Sequence, residues 1–143
     1  MGKVRNILQT KSNTIFSVTP DTIVYNALEV MFEKNVSALL VMENENPVGI
    51  FTERDYARNI ALKGKSSRET KISDIMTKNL ITITSDYTID EAMRLMTEKF
   101  IRHLPVMDEN KLVGIISIGD LVKHLIEEQK FIIGSLENYI SHT

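Results

Sequence analysis

The stretch Val48–Asp55, VGIFTERD, recurs 65 residues later as Val113–Asp120, VGIISIGD. Each copy runs from an apolar segment with one glycine to a hydroxyl residue, and an aspartate stands three positions after that hydroxyl. A short apolar run predicts a buried strand, and a hydroxyl residue with an acidic residue three positions later is typical of a capping box. The stretch therefore predicts a strand that passes directly into a helix, twice in one chain.

The repetition extends well beyond this stretch. Ile15–Asp55 aligns without a gap on Leu80–Asp120, and 13 of the 41 aligned positions are identical. A shorter lead-in, Val4–Leu8, matches Ile72–Met76 at a shift of 68 residues. Two copies in 143 residues predict one compact protein with pseudo-two-fold symmetry, because a solenoid needs three or more repeats.

Each copy reads as β-α-β-β-α, so the predicted fold class is α/β, of the α+β kind. The opening strands are expected at Ile15–Val18 and Leu80–Ile83, and the helices that follow are expected to be capped by Asp21 and Asp86. Two hairpins with polar loops come next, with strands predicted at Ala38–Met42, Val48–Phe51, Leu104–Met107 and Leu112–Ile116. The closing helices begin at Thr52 and Ser117, the first ending near Gly64 and the second running towards Gln129.

These elements divide the chain into four segments. We expect repeat 1 with its lead-in at residues 1–64, a linker at 65–71, repeat 2 at 72–129 and a helical tail at 130–143. Basic residues are frequent from Arg54 to Lys71, which indicates either a solvated surface or a local positive field near a phosphate site. The tail is rich in apolar residues that could pack on the body, close a dimer or meet a partner.

Composition excludes several functions. Seventeen Lys and Arg against 19 Asp and Glu give a net charge of −2, which disfavours nucleic acid and anionic lipid as partners. With no cysteine there is no thiol catalysis and no Cys-based metal site. No apolar leader follows Met1 and no window is apolar enough to span a bilayer, so we expect a cytoplasmic protein that does not enter the membrane.

Chemically informative residues lie at the ends of the repeats. A carboxylate at a strand-to-helix turn can hold a ribose diol, and a helix N-terminus suits an anion. The alternative is that Asp55 and Asp120 only cap their helices. Before the second hairpin, Arg102 and His103 stand where the first copy has Ser37 and Ala38, which indicates a single specialised site. Arg102 can donate two hydrogen bonds to a phosphate. His103 either donates to the same phosphate or only fills the end of a strand. The sequence contains no catalytic motif, and its three histidines lack metal-ligand spacing.

The two β-α-β-β-α copies, the pattern G-h-h-[ST]-x-x-D (h is apolar) and the segment IRHLPV at residues 101–106 resemble tandem CBS domains, the cystathionine-β-synthase-type repeats that pair as a Bateman module. The resemblance covers Val4 to about Glu128 and is closest to small stand-alone CBS-pair proteins of bacteria and plant organelles. It implies two clefts that bind an adenosine ligand without catalysis, with aspartate on the ribose. AMP is the first choice, followed by NAD(H), ATP or S-adenosylmethionine.

The resemblance also assigns residues to the clefts. One predicted cleft combines Lys11, Thr14, Phe16, Val36, Ser37 and Ala38 with Ile115, Ser117, Gly119 and Asp120. The other combines Asn79, Ile81, Ile101, Arg102 and His103 with Ile50, Thr52, Arg54 and Asp55. The implied protein is a homodimeric sensor with no required cofactor that signals to an unidentified partner protein in trans. The alternative is a ligand-independent dimerisation or protein-interaction module.

Overall fold

The computed structural model of the chain describes residues 2–12 and 14–141. Its helices are α1 (Val4–Thr10), α2 (Val24–Lys34), α3 (Glu53–Tyr56), which a π-helical segment continues over Ala57–Ala61, α4 (Ile72–Ile75), α5 (Ile89–Lys99) and α6 (Ile118–Ser141). Its strands are β1 (Ser17–Val18), β2 (Ala38–Glu43), β3 (Asn46–Thr52), β4 (His103–Asp108) and β5 (Lys111–Ser117). The predicted mixture of helix and strand, of the α+β kind, is confirmed.

The described residues form two compact units. The α2 unit comprises residues 14–82 and 108–113, and the α6 unit comprises residues 2–12, 83–107 and 114–141. These units differ from the two sequence copies, because the lead-in helix α1 belongs to the same unit as the second copy. The expected segment boundaries at residues 64, 71 and 129 remain predictions, and the last two residues of the expected tail lie outside the described part of the chain.

The α2 unit is built on the three-stranded sheet β1-β2-β3. Strand β2 runs parallel to β1 and antiparallel to β3, with an irregularity between Val41 and Met42. Apolar residues of α2 lie at helical spacing and pack on one face of the sheet. This buried core consists of Val24, Ala27, Met31, Leu39, Val41, Phe51, Ile60, Ile72 and Ile75.

Strands β4 and β5 pair as a two-stranded sheet, and most of β4 and the second half of β5 belong to the α6 unit. The strand predicted at Leu80–Ile83 is wrong, since only Ile83 forms a bridge, to Val106. The sequence difference explains this: Leu40 donates its N–H to the Phe16 carbonyl in the first copy, whereas the aligned residue, Pro105, has no N–H to donate.

The predicted caps of α2 and α5 are wrong as well. Helix α2 begins after Ile23 with no side-chain cap, and α5 begins after Thr88, which forms a capping box with Glu91. Asp21 Oδ1 instead lies 3.7 Å from Lys71 Nζ, and the Asp86 carboxylate forms an ion pair with Arg5. The helices start two residues later than expected, so both aspartates remain on the surface.

The other differences concern loops and the tail. Each hairpin turns through two left-handed residues, Asn44-Glu45 and Glu109-Asn110, and both turns are tighter than the predicted loops. Gly64 adopts a φ of 64°, which suits the predicted end of the first closing helix. The predicted tail helix is no separate element, because α6 continues without a break to Ser141.

Candidate functional site

In the α2 unit, the turn from β3 into α3 holds Asp55 in a capping box. The Asp55 N–H donates to Thr52 Oγ1 at 3.3 Å, and Asp55 Oδ2 accepts from the Thr52 N–H at 2.9 Å and from its hydroxyl at 3.1 Å. This part of the capping interpretation is confirmed. The box leaves the carboxylate half-buried, at the end of the strand and in one fixed orientation.

A second contact fixes the other oxygen of Asp55. The Thr77 hydroxyl donates to Asp55 Oδ1 at 2.9 Å, and the Thr77 backbone exchanges hydrogen bonds of 3.0 and 2.9 Å with Ile50. A Cβ on Gly49 would lie 2.5 Å from Met76 Sδ and 3.0 Å from the Thr77 carbonyl oxygen, so the glycine permits this approach. The sequence analysis missed Thr77; its position directly after the repeated lead-in was the available signal.

In the α6 unit, Asp120 occupies the corresponding turn from β5 into α6. The Asp120 N–H donates to Ser117 Oγ at 3.2 Å, and Asp120 Oδ2 accepts from the Ser117 N–H at 2.8 Å. Here the additional partner is a cation, because Lys11 Nζ donates at 2.7 Å to Asp120 Oδ2 and at 2.7 Å to the Ile115 carbonyl. The lysine therefore ties the end of α1 to the end of β5.

The environment of Asp120 favours its charged form. Burial acts to raise the pKa of this carboxyl, but the hydrogen bonds from Lys11 and Ser117 outweigh burial and hold the pKa below its usual range. The side chains of Lys11 and Asp120 are 30% and 23% exposed, so water screens the pair only in part. A Cβ on Gly114 would lie 2.6 Å from Leu8 Cδ2, so this glycine, like Gly49, permits close packing.

The segments that precede the hairpins lie beside these turns. The Glu53 N–H donates to the Ser37 carbonyl at 3.2 Å, and the Ile118 N–H donates to the Arg102 carbonyl at 2.9 Å. Ala38 is also in register with Thr52 across the sheet. In each unit, the segment before the hairpin therefore contacts the strand-to-helix turn of its own repeat.

His103 lies close enough to Lys11 and Asp120 for their charges to influence its pKa. Burial lowers its pKa first of all, the positive charges of Lys11 and Arg102 lower it further, and Asp120 acts in the opposite direction. The imidazole therefore stays neutral more readily than an exposed histidine. The positive charges that surround it are the feature that an anionic ligand would use.

A cavity of about 300 Å³ opens beside Lys11 and Asp120. This volume is at the lower end of the range of small-molecule sites. Its other lining residues, none of which the sequence analysis singled out, are Ile7, Thr10, Ser12, Lys123, His124 and Glu127.

Each predicted cleft draws its residues from both units. Of the first set, the α6 unit contains Lys11, Ile115, Ser117, Gly119 and Asp120, and the α2 unit contains Thr14, Phe16, Val36, Ser37 and Ala38. Of the second set, the α2 unit contains Ile50, Thr52, Arg54, Asp55, Asn79 and Ile81, and the α6 unit contains Ile101, Arg102 and His103. Direct hydrogen bonds join Lys11, Ile115, Ser117 and Asp120, and others join Thr52 to Asp55.

The described residues also bear on metal binding and on insertion into a membrane. Across residues 2–12 and 14–141, no group of three or more histidine, cysteine, aspartate or glutamate side chains is placed to hold a metal ion. Among the helices of the same residues, none is long and apolar enough to cross a membrane. His142, one of the three histidines considered in the sequence, lies outside the described part.

Comparison with known proteins establishes the family. The profile of the CBS domain matches residues 4–62 and 72–127, so the chain belongs to the CBS-domain family and carries two copies of the domain. It is 42% identical to the mitochondrial CBS domain-containing protein CBSX3 of Arabidopsis thaliana over 85% of this chain and 62% of that protein, so the chain spans under two thirds of that relative.

Solved structures with the same fold include the following two. One, of a protein with CBS domains from Burkholderia ambifaria MC40-6, has a TM-score of 0.86 at 46% identity and covers 89% of this chain and 96% of its own. The other is the CBS domain pair of protein MJ0100, in complex with 5′-methylthioadenosine and S-adenosyl-L-methionine. It has a TM-score of 0.78 at 25% identity and covers 90% of this chain and 98% of its own. The resemblance identified from the sequence is therefore confirmed.

Proposed function

We propose that the chain is a non-catalytic regulatory module that binds an adenosine ligand and signals the ligand state to a partner protein. The observation that carries the proposal is the pair of aspartates, Asp55 and Asp120, each held at a strand-to-helix turn by a capping box and by one additional side chain. Stand-alone CBS-pair proteins are generally regulatory, and the MJ0100 complex shows that a CBS pair can hold adenosine compounds.

The chemistry of the aspartates suits a ribose. A fixed carboxylate can accept hydrogen bonds from two neighbouring hydroxyls, and such charge-assisted bonds are about twice as strong as neutral ones. At Asp120, both described hydrogen bonds to the carboxylate fall on Oδ2, so the geometry favours Oδ1 as the acceptor for a ligand hydroxyl. At Asp55, the Thr77 hydroxyl holds Oδ1 and would have to share that oxygen or turn away.

The charges around Asp120 favour a ligand with a phosphate. Lys11, Arg102 and Asp120 all lie close enough to His103 to influence its pKa, and α6 begins at the turn that holds Asp120. We therefore propose AMP as the first ligand, with NAD(H) and ATP next and the cationic S-adenosylmethionine last. The two predicted residue sets remain the proposed contacts of the two sites, and we propose that Arg102 and His103 of the second set also serve a phosphate at Asp120.

The proposed assembly is a homodimer, and the proposed location is the cytoplasm, a reducing compartment with which the lack of cysteine agrees. A ligand acts in such a module by binding one arrangement of the protein more tightly than another, which shifts the population between them.

The test is calorimetric titration of Asp55→Asn and Asp120→Asn with AMP. Each substitution keeps the size of the side chain but removes the charge, and each is expected to weaken binding at one site about tenfold or more. Glu91→Gln is the matched control, because the Thr88–Glu91 capping box has similar geometry but begins α5 and includes neither aspartate. If both aspartate variants bind AMP as the parent chain does, the aspartates serve only as caps.

A second candidate function is a ligand-independent interaction module. The exposed apolar side chains at the end of α6 favour it, because a large apolar surface indicates an interaction site. Dimerisation without any nucleotide response in thermal stability would support this candidate over the sensor.

A further inference from the structure

The C-terminal half of α6 exposes a large apolar surface that ligand binding at the aspartate turns does not explain. Seven large apolar side chains from Ile126 to Ile140 are between 47% and 76% exposed. Along the 24 residues of this helix, Leu121 is the one described residue that is buried. A helix that is apolar on most sides is normally covered by other protein.

These side chains form an ordered seam. Ile126, Ile133 and Ile140 repeat every seven residues. At the three- and four-residue spacing of a helix pair, Leu136 lies between Ile133 and Ile140, Val122 precedes Ile126, and the polar Gln129 lies between Ile126 and Ile133. The flank of the seam on one side carries Lys130 and Glu137, which are both exposed. Phe131 lies on the opposite side of the helix, outside the seam.

The size of the seam matches what a second copy can cover. Aromatic side chains bury about 150–250 Å² each when covered, so Tyr139 at 71% exposure, together with Ile132, Ile133, Leu136 and Ile140, presents several hundred Å². One partner in a standard interface contributes about 800 Å². With one cation and one anion on the flank, the seam has no net charge that would oppose pairing with itself.

We propose that the C-terminal half of α6 pairs with the same segment of a second chain, antiparallel and about a two-fold axis. In an antiparallel pair, residues on the same flank face each other across the seam. In this pairing Ile133 lies against the partner's Leu136 and Ile140 against the partner's Gln129, which sets Ile132 against the partner's Tyr139. Val122 and Ile126 lie outside the paired segment. The same register places Lys130 opposite the partner's Glu137, and two-fold symmetry forms this ion pair twice.

This pairing does not depend on ligand binding, and charge reversal tests it directly. Sedimentation of the full chain is expected to show a dimer, and Lys130→Glu or Glu137→Lys alone is expected to weaken it about tenfold, because each places like charges opposite each other twice. An equimolar mixture of the two variants is expected to recover the parent affinity, since every facing pair in the mixed dimer is again opposite in charge. Ile133→Glu is expected to abolish the dimer.

The matched control is Phe131→Glu, which removes an equally exposed apolar side chain on the opposite side of α6 and is expected to leave the dimer intact. Circular dichroism of every variant checks that α6 has formed. A monomeric parent chain at several hundred micromolar would overturn the proposal. So would a mixture of the two charge variants no more associated than either alone, which would place the interface elsewhere or in another register.

Discussion

Replacing Lys11 with methionine removes a cation hydrogen-bonded to Asp120 while retaining most of the length and the apolar contacts of the side chain. Lys11 Nζ makes two bonds of 2.7 Å, to the Asp120 carboxylate and to the Ile115 carbonyl. Hydrogen bonds that involve a charged group contribute about 1.5–3 kcal/mol each, and partial exposure of both side chains reduces this. We expect Lys11→Met to lower the free energy of unfolding by about 2 kcal/mol at pH 7.

The effect should depend on pH. Because the pKa of Asp120 is lowered in the folded protein, its contribution to stability is present above its unfolded pKa and is lost as the pH falls through the folded value. Urea denaturation at pH 7 and at pH 3 measures both quantities, and the difference between Lys11→Met and the parent chain should shrink at the lower pH. The control is Lys3→Met at the other end of α1, whose partner Asp86 lies 4.0 Å away at an exposed position. An equal loss in both variants, or a loss independent of pH, would refute the role assigned to the pair.

Three further predictions concern single positions. Thr77→Val removes the hydroxyl that donates to Asp55 and should lower the free energy of unfolding, measured by urea denaturation, by about 1 kcal/mol. An unchanged free energy of unfolding would show that this hydrogen bond does not stabilise the fold. Glu45→Gly relieves a left-handed residue with a φ of 68° and should stabilise the chain by about 0.5–1 kcal/mol; a loss of stability would contradict the assigned turn. His103 should titrate below the ordinary histidine value in NMR spectra, and Lys11→Met should raise its midpoint, because one of the charges that lower its pKa is then absent. An unshifted midpoint in both chains would contradict the described surroundings.

The internal repeat made most of the fold accessible from sequence. The strand-to-helix turns with Thr52 and Ser117 were predicted correctly, because a capping box depends on residues three positions apart and needs no tertiary information. The caps at Asp21 and Asp86 were predicted wrongly, since several polar residues near a helix start can cap it and tertiary contacts choose among them.

The partners of the aspartates depend on tertiary structure. Lys11 and Asp120 are 109 residues apart and Thr77 lies 22 residues from Asp55, so no local pattern links them. The sequence alignment treats the two sites as equivalent, whereas the structure gives one aspartate an ammonium partner and the other a hydroxyl. That chemical difference between the repeats became visible only with the side chains in place.

The central claim is that the chain binds an adenosine ligand through its two aspartate turns. Isothermal titration calorimetry of the full chain with AMP, ATP, NADH and S-adenosylmethionine tests it most directly. We expect micromolar binding with one or two sites per chain, tightest for AMP and weakest for S-adenosylmethionine. Absence of heat and of any thermal shift with all four ligands would contradict the claim and favour the interaction module instead.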